Sequence, residues 1–175
     1  MADVNFKASL ALDRASGTAA PGVPPSHVEL IELLFFAYRD FVGDPDVVLE
    51  TYGFGRAHHR VLHFVDRNPG ISVTDLLDIL KITKQSLGRV LKQLVDSGFI
   101  EQRTGPRDRR QRLLFATPKG CDLASRLTEP QTRRIAAAIR GLGPQGEEIV
   151  KRFLSDMINA EDRAGVARLT TRRPD

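Results

Sequence analysis

Residues 83–94 read TKQSLGRVLKQL, and this stretch decides the fold. Threonine is a good helix N-cap, and the apolar residues after it repeat at helical spacing, so a helix is predicted from Thr83 to the glycine stop at Gly98. The residues expected to face inward are Leu87, Val90, Leu91, Leu94 and Val95. Another helix begins at Ser72, and only residues 81–82 separate the two. The pattern therefore predicts a helix-turn-helix.

A β-hairpin is predicted directly after this pair. Residues 99–103 read FIEQR and residues 112–116 read RLLFA, two short runs with the character of strands. Residues 104–111 between them read TGPRDRRQ, which is polar, turn-forming and basic. The order helix, turn, helix, hairpin predicts a winged helix-turn-helix lobe over residues 55–117.

The helix before this lobe is expected to pair with a second subunit. Ser26 and Glu29 form a capping-box pattern at the start of a helix over residues 26–42 that is apolar on nearly all sides. Such a helix must be buried all round, and in a small chain a partner subunit is the natural way to bury it. Further helices are predicted between residues 118 and 163, where Pro130 either kinks or interrupts the first of them.

The fold class expected is therefore mainly α with a small β-hairpin. The length of 175 residues suits one domain with a sizeable core. Small and proline-punctuated residues predict a flexible start, and a loose tail is expected at the end. The expected divisions are a flexible extension at 1–25, a single domain at 26–163 with helices at 26–52 and 118–163 on either side of the lobe, and a flexible tail at 164–175.

Basic charge is concentrated in one part of the chain. Residues 81–112 hold nine basic and three acidic side chains, an excess of six. The net charge of the whole chain is +4, so the remainder carries −2. A near-neutral body with one basic segment is the electrostatic pattern of a nucleic-acid binder. From charge alone, a solvated basic face without a partner explains the count equally well.

The side chains of this segment suit duplex DNA. Gln and Arg contact base edges in the major groove, Lys neutralises phosphate, and hydroxyl groups at a helix start add donors. The helix contacts predicted are Thr83, Lys84, Gln85, Ser86, Arg89 and Lys92, with Gln93 exposed beside them. An arginine-bearing loop fits a narrow minor groove, and the wing contacts predicted are Arg107, Asp108, Arg109 and Arg110. Each element alone has a purely structural explanation, but their conjunction favours DNA.

Residues 54–127 resemble the multiple antibiotic resistance regulator (MarR) family. The matching motifs are residues 70–77 (GISVTDLL), 83–94, 96–103 (DSGFIEQR), the wing signature 107–110 (RDRR), and 117–120 (TPKG). Gly88 departs from the family, which commonly has a small hydroxyl residue there. A glycine inside a helix costs about 1 kcal/mol relative to alanine.

The resemblance implies a homodimer in which the N- and C-terminal helices of two chains interleave, so the segments 26–52 and 118–163 are expected to be dimerisation helices. It implies binding to a pseudo-palindromic operator near a promoter, most often as a repressor. It also implies that Asp108 pairs with Arg110, with Arg109 at the wing tip. This agrees with the expectation that Asp108 holds the Arg110 guanidinium in one rotamer.

Members of this family often sense small aromatic or phenolic anions in a crevice beside the dimer helices. The candidate liners are Phe35, Tyr38, Arg39, His59 and His63. Aromatic residues at helical spacing are more often core than pocket. His59 and His63 also have the i, i+4 spacing of a zinc pair, but no third ligand is suggested, so neither a metal nor a cofactor is expected.

Other features restrict the function class. Cys121 is the single cysteine, which excludes an intrachain disulfide and fits a reducing cytoplasm. It lies near a predicted helix start, where a thiol could act as a redox sensor, but a small buried core residue is the preferred interpretation. Neither a signal peptide nor a membrane-spanning run is expected. The absence of a phosphate loop, a HExxH motif or a nucleophile elbow argues against an enzyme.

Two alternatives stay open at this point. One is a DNA-binding regulator without an effector, or one that activates transcription. The other is a winged-helix module whose basic wing contacts an acidic protein. Sequence preference and a steep salt dependence on duplex DNA would exclude the second.

Overall fold

The computed structural model describes residues 24–106 and 108–171 of the chain, and within them it is mainly helical. The helices are α1 (Pro25–Gly43), α2 (Asp46–Glu50), α3 (Arg56–Arg67), α4 (Val73–Leu80), α5 (Lys84–Asp96), α6 (Pro118–Arg140), α7 (Gly146–Asp156) and α8 (Ala160–Thr171). The strands are β1 (Ile71–Ser72), β2 (Ile100–Thr104) and β3 (Arg112–Ala116). The predicted fold class is confirmed. Most of the expected N-terminal extension, residues 1–23, lies outside the described residues.

The sheet has one strand more than the sequence predicts. Its order is β1-β3-β2, and both pairings are antiparallel, with Ile71 opposite Leu114 and Ile100 opposite Ala116. β1 has only two residues, too few to show an alternating pattern. Because β1 directly precedes α4, the pairing of β1 with β3 places the start of α4 beside the wing hairpin.

Side-chain caps start the helices of the winged lobe where the sequence predicts them. Ser72 Oγ accepts the Asp75 N–H at 3.1 Å, and Thr83 Oγ1 accepts the Ser86 N–H at 3.1 Å. Each bond satisfies one of the amides that the first turn of a helix leaves without a partner. Gly98 ends the loop after α5 with a φ of +73°, a conformation that glycine adopts at little cost.

One continuous core holds these elements together. It is made of side chains at most 8% exposed, from Leu49 to Leu127, with the apolar faces of α3, α4 and α5 meeting β3 and α6. Four of the five residues expected to face inward on α5 are buried, and Val95 is half-buried. The winged lobe therefore closes its core within one chain.

The chain divides into two compact units, the first ending at Ala37 and the second beginning at Tyr38. In the first unit the structure describes the apolar helix that the sequence predicts. Its exposed apolar side chains are Val28, Leu30, Ile31, Leu33, Leu34, Phe35 and Phe36. α1 begins at Pro25, so Ser26 lies inside the helix instead of capping it. Proline is well placed in a first helical turn, which moves the start forward by one residue.

α6 runs through Pro130 without interruption, so of the two expectations for this proline an interruption is wrong. The turn after the proline is anchored from outside the helix. Gln131 donates to the Phe41 carbonyl at 3.2 Å, and Arg134 makes a bidentate pair with Asp44 at 2.6 and 2.8 Å. These bonds stabilise the segment where proline removes a helical hydrogen bond.

The expected flexible tail from residue 164 is wrong as far as Thr171, because α8 occupies residues 160–171. Arg163 donates to the carbonyls of Asp156 and Ile158 at 2.6 and 2.9 Å, and Asp162 pairs with Lys81 at 3.2 Å. Of these contacts only the Lys81 pair comes from a distant part of the chain, and the apolar residues of α8 do not follow one face. Its sequence therefore gave no periodic signal.

Among residues 24–106 and 108–171, no helix combines the length and the apolar character that crossing a bilayer requires.

Candidate nucleic-acid interface and adjoining cavity

The outer face of α5 presents most of the polar side chains that the sequence selects for DNA. Lys84, Gln85, Arg89 and Lys92 are exposed. Thr83 and Ser86 are instead engaged with each other: Thr83 Oγ1 donates to Ser86 Oγ at 2.9 Å while it caps the helix. Lys92 forms an ion pair with Asp96 one turn further on. The residues with side chains most open to a partner are therefore Lys84, Gln85 and Arg89.

The wing tip is ordered by Asp108, but not in the way expected. Its carboxylate accepts the backbone N–H of Arg110 at 2.8 Å, and its carbonyl accepts the Gln111 N–H at 3.1 Å. The expected side-chain pair with the Arg110 guanidinium is not formed, because the carboxylate stabilises the turn itself. Arg109 and Arg110 are exposed. Arg107 lies outside the described residues.

Two further arginines, which were not among the predicted contacts, lie along the wing strands. Arg103 lies over the ring of Phe115 at 4.4 Å and pairs with Glu101, while Arg112 donates to Thr104 Oγ1 at 2.9 Å. Both are exposed. Their place in the basic segment was visible, but only strand pairing puts them beside the wing tip.

His58 joins α3 to α5, a contact that no pattern in the sequence predicts. Its Nδ1 accepts the Gly55 N–H at 3.1 Å, so Nε2 carries the proton and donates to Gln93 Oε1 at 2.8 Å. The ring stacks on Phe54 with 4.6 Å between centroids. Gln93 is exposed, as expected, but its side-chain oxygen accepts this bond and holds α5 against α3.

A cavity of about 260 Å³ lies on the other side of α3. It is lined by Tyr38, Phe41, Val42, Arg56, His59, Arg60, His63, Phe64 and Gln131. Three of the five predicted liners, Tyr38, His59 and His63, line it. Arg39 instead pairs with Asp40 at 2.8 Å, and Phe35 belongs to the unit that ends at Ala37.

Two arginines and two neutral histidines are among the residues that line the cavity. Burial lowers the pKa of His59 to about 4, with the neighbouring His63 adding to the shift. Burial likewise lowers the pKa of His63. Arg56 is held by the Asp46 carboxylate at 2.8 and 3.1 Å, whereas the acceptor of Arg60 among the described residues is the neutral Leu80 carbonyl, at 3.4 Å. Aromatic walls with cationic groups suit a small aromatic anion.

Within the described part of the chain, no group of three His, Cys, Asp or Glu side chains is placed to hold a metal ion.

Cys121 is exposed, so its interpretation as a buried core residue is wrong. It lies in the first turn of α6, where the core positions are taken by Gly120, Leu123 and Ala124. Partial desolvation and a hydrogen bond to Asp66 raise the pKa of its thiol. A raised pKa lowers the thiolate fraction on which redox sensing depends.

Comparison with known proteins agrees with this architecture. The sequence profile of the MarR family matches residues 52–111. The chain is 48% identical over 129 residues to the HTH-type transcriptional regulator PetP of Rhodobacter capsulatus, covering 74% of this chain and 78% of PetP. A MarR protein from Peptoclostridium difficile superposes with a TM-score of 0.64 at 19% identity, over 82% of this chain and 92% of that one. NadR in complex with 4-hydroxyphenylacetate gives 0.64 at 20% identity, over 81% and 97%.

Proposed function

Because this chain belongs to the MarR family of transcriptional regulators, we propose that it binds a pseudo-palindromic operator in duplex DNA as a homodimer and represses the adjacent promoter. The observation that carries the proposal is the shared exposure of two basic elements, the face of α5 with Lys84 and Arg89 and the wing tip with Arg109 and Arg110. Such a DNA-binding protein would act in the cytoplasm.

The shapes of the two elements suit the two grooves. An α-helix fits the major groove, where Gln85 and Arg89 can read base edges and Lys84 can neutralise phosphate. A thin arginine-bearing hairpin fits a narrow minor groove, where the negative potential is enhanced. The Asp108 bond to the Arg110 backbone supports this role, because a preformed turn loses less entropy on binding.

Exposed apolar side chains support the homodimer. Those of α1 belong to the first unit, and α7 adds a second set in the other unit: Ile149, Phe153, Leu154 and Met157, each at least half exposed. Apolar patches of this kind mark interaction sites. A second copy of the chain is the partner we propose for both helices.

The cavity beside α3 is the proposed effector site. Its arginines and the aromatic rings of Tyr38, Phe41 and Phe64 suit a small aromatic or phenolic anion, and NadR, a protein of similar fold, binds 4-hydroxyphenylacetate. Occupancy of the cavity would release the repressor from its operator.

Fluorescence anisotropy with the DNA upstream of its own gene tests the DNA-binding proposal. We expect that duplex to bind at least about a hundredfold tighter than an unrelated one, with affinity falling steeply as salt rises. The double variant Arg109→Ala, Arg110→Ala should weaken binding and flatten the salt slope, because each lost phosphate contact lowers it. The charge-matched control is Arg133→Ala, Lys151→Ala, on exposed sites of α6 and α7.

Equal and weak binding of both duplexes, unchanged in the wing variant, would overturn the DNA-binding role and favour a wing that contacts an acidic protein. Operator binding that no aromatic anion changes would favour a regulator without an effector.

A further inference from the structure

We infer that Arg60 transmits occupancy of the cavity to the DNA-binding helices, by exchanging its bond to the Leu80 carbonyl for a bond to the anionic ligand. This inference rests on the proposed effector role of the cavity. Among the described cavity-lining side chains, Arg60 is the one that hydrogen-bonds to α4, the first helix of the helix-turn-helix.

The bond is made at a sensitive point. α4 ends at Leu80, and the next residue, Lys81, has a left-handed conformation with a φ of +51°. Two residues later Thr83 caps α5. The angle between the two helices therefore depends on the backbone at residues 80–82. The Leu80 side chain is buried in the core, and this packing holds the Leu80 backbone, including its carbonyl group, on the core side.

The Leu80 carbonyl needs this partner. A helix leaves its last carbonyls without intrahelical donors, and none of the described backbone N–H groups outside the helices donates to this oxygen. The Arg60 guanidinium supplies a donor and places a positive charge at the negative end of the α4 dipole. Removing it would leave the end of α4 with less to hold the turn in place.

An anionic ligand can displace this bond. At 3.4 Å, the Arg60–Leu80 contact is longer than most hydrogen bonds, and its acceptor is neutral. A bond between guanidinium and carboxylate is shorter and about twice as strong. Arg56 differs, because it is already held by the Asp46 carboxylate through three hydrogen bonds. A carboxylate entering the cavity would therefore recruit Arg60 before Arg56.

Two arginine variants separate ligand binding from transmission. Arg60→Ala and Arg56→Ala each remove one positive charge from α3 and from the cavity lining. The two variants therefore lose the same amount of long-range electrostatic attraction to DNA. Operator affinity of each full-length variant is measured by anisotropy, without ligand and with saturating benzoate. Benzamide serves as the neutral probe of the same shape. Circular dichroism melting shows that each variant is folded.

We expect Arg60→Ala to bind the operator about five- to tenfold more weakly without ligand, a typical allosteric coupling, and to change no further with benzoate. Arg56→Ala, the charge-matched comparison, should bind the operator more tightly than Arg60→Ala does and should still lose operator affinity when benzoate saturates it, because Arg56 is bonded to Asp46 and not to α4. Hydrogen exchange at the Lys81 amide, bonded to the Leu77 carbonyl, should be faster in Arg60→Ala and in the benzoate-bound wild type. Benzamide should neither weaken operator binding by the wild type nor speed exchange at the Lys81 amide.

The inference is overturned if, without ligand, Arg60→Ala and Arg56→Ala bind the operator with the same affinity. It is also overturned if benzoate weakens operator binding by Arg60→Ala as many fold as it weakens binding by the wild type. A wild type that ignores benzoate is a different failure, since it removes the effector role of the cavity. In that case the operator affinities measured without ligand and the exchange rate of the Lys81 amide still decide whether Arg60 stabilises the turn between α4 and α5.

Discussion

The winged lobe and the outer helices use apolar residues in opposite ways. In the lobe, Leu94 is 0% exposed, whereas Leu154 on α7 is 52% exposed and Phe35 on α1 is 68% exposed. Both regions are built from amphipathic or apolar helices, so composition does not separate them. The difference is whether the same chain supplies a cover. The lobe is complete in one chain, and the outer helices have a surface that a second copy could complete.

The same substitution in the two regions gives the largest expected contrast. Leu94→Ala should lower the free energy of unfolding by about 2–5 kcal/mol, because it leaves a cavity in a closed core. Leu154→Ala should cost less than about 0.5 kcal/mol in dilute monomer, as is usual for surface changes. Chemical denaturation at several protein concentrations measures both. An equal cost at every concentration would contradict the comparison.

A charge on the exposed face of α7 tests whether a second copy covers it. Phe153→Glu should shift the protein from dimer to monomer, because an apolar interface does not tolerate an unpaired carboxylate. Arg152→Glu on the same helix, where the arginine is among the most exposed side chains, is the control and should leave the dimer intact. Light scattering after gel filtration reads the mass. A Phe153→Glu protein that keeps the wild-type mass would show that α7 is not part of the interface.

The half-buried histidines of α3, His59 and His63, should make the lobe sensitive to acid. The pKa of His59 is about 4 in the fold, below the ordinary 6.5, so the unfolded chain binds more protons between these values. Stability should therefore be complete above pH 6.5 and fall as pH drops towards 4. His59→Gln should flatten this slope in pH-dependent denaturation. His63→Gln should flatten it in the same sense, because its pKa is also lowered. A slope unchanged in both variants would contradict the burial of these rings.

The smallest expected change in stability comes from substituting Gly88. It lies on the exposed side of α5, and a Cβ there would meet nothing within 4 Å. Gly88→Ala should raise the free energy of unfolding by about 1 kcal/mol through helix propensity. Gly120→Ala is the contrasting variant, because its Cβ would lie 2.1 Å from the Phe99 carbonyl oxygen. Thermal melts should therefore move in opposite directions, and two similar shifts would contradict the geometry at α6.

Sequence reasoning reached most of the fold because its signals are local. Local signals located α4 and α5, and the capping residues Ser72 and Thr83 gave their starts. The basic segment located the exposed face of α5 and the wing. The two-residue strand β1 and the weakly patterned α8 were missed, because pairing and packing with distant residues stabilise them.

The site was predicted less completely, because side-chain partners depend on distant backbone. Tyr38, His59 and His63 were placed correctly at the cavity, but Arg60 was not selected. The carboxylate of Asp108 was expected on a guanidinium and bonds to a backbone N–H instead. Cys121 was expected in the core and lies outside it.

The sequence by itself determined which segments are helical, where the wing lies and where basic charge accumulates, since periodicity, caps and charge are properties of neighbouring residues. Tertiary structure alone decided that His58 holds Gln93 and that Arg60 meets both the cavity and the end of α4. These pairs are separated by 35 and 20 positions in the chain. No local pattern specifies such contacts, because they exist only after the core has brought the helices together.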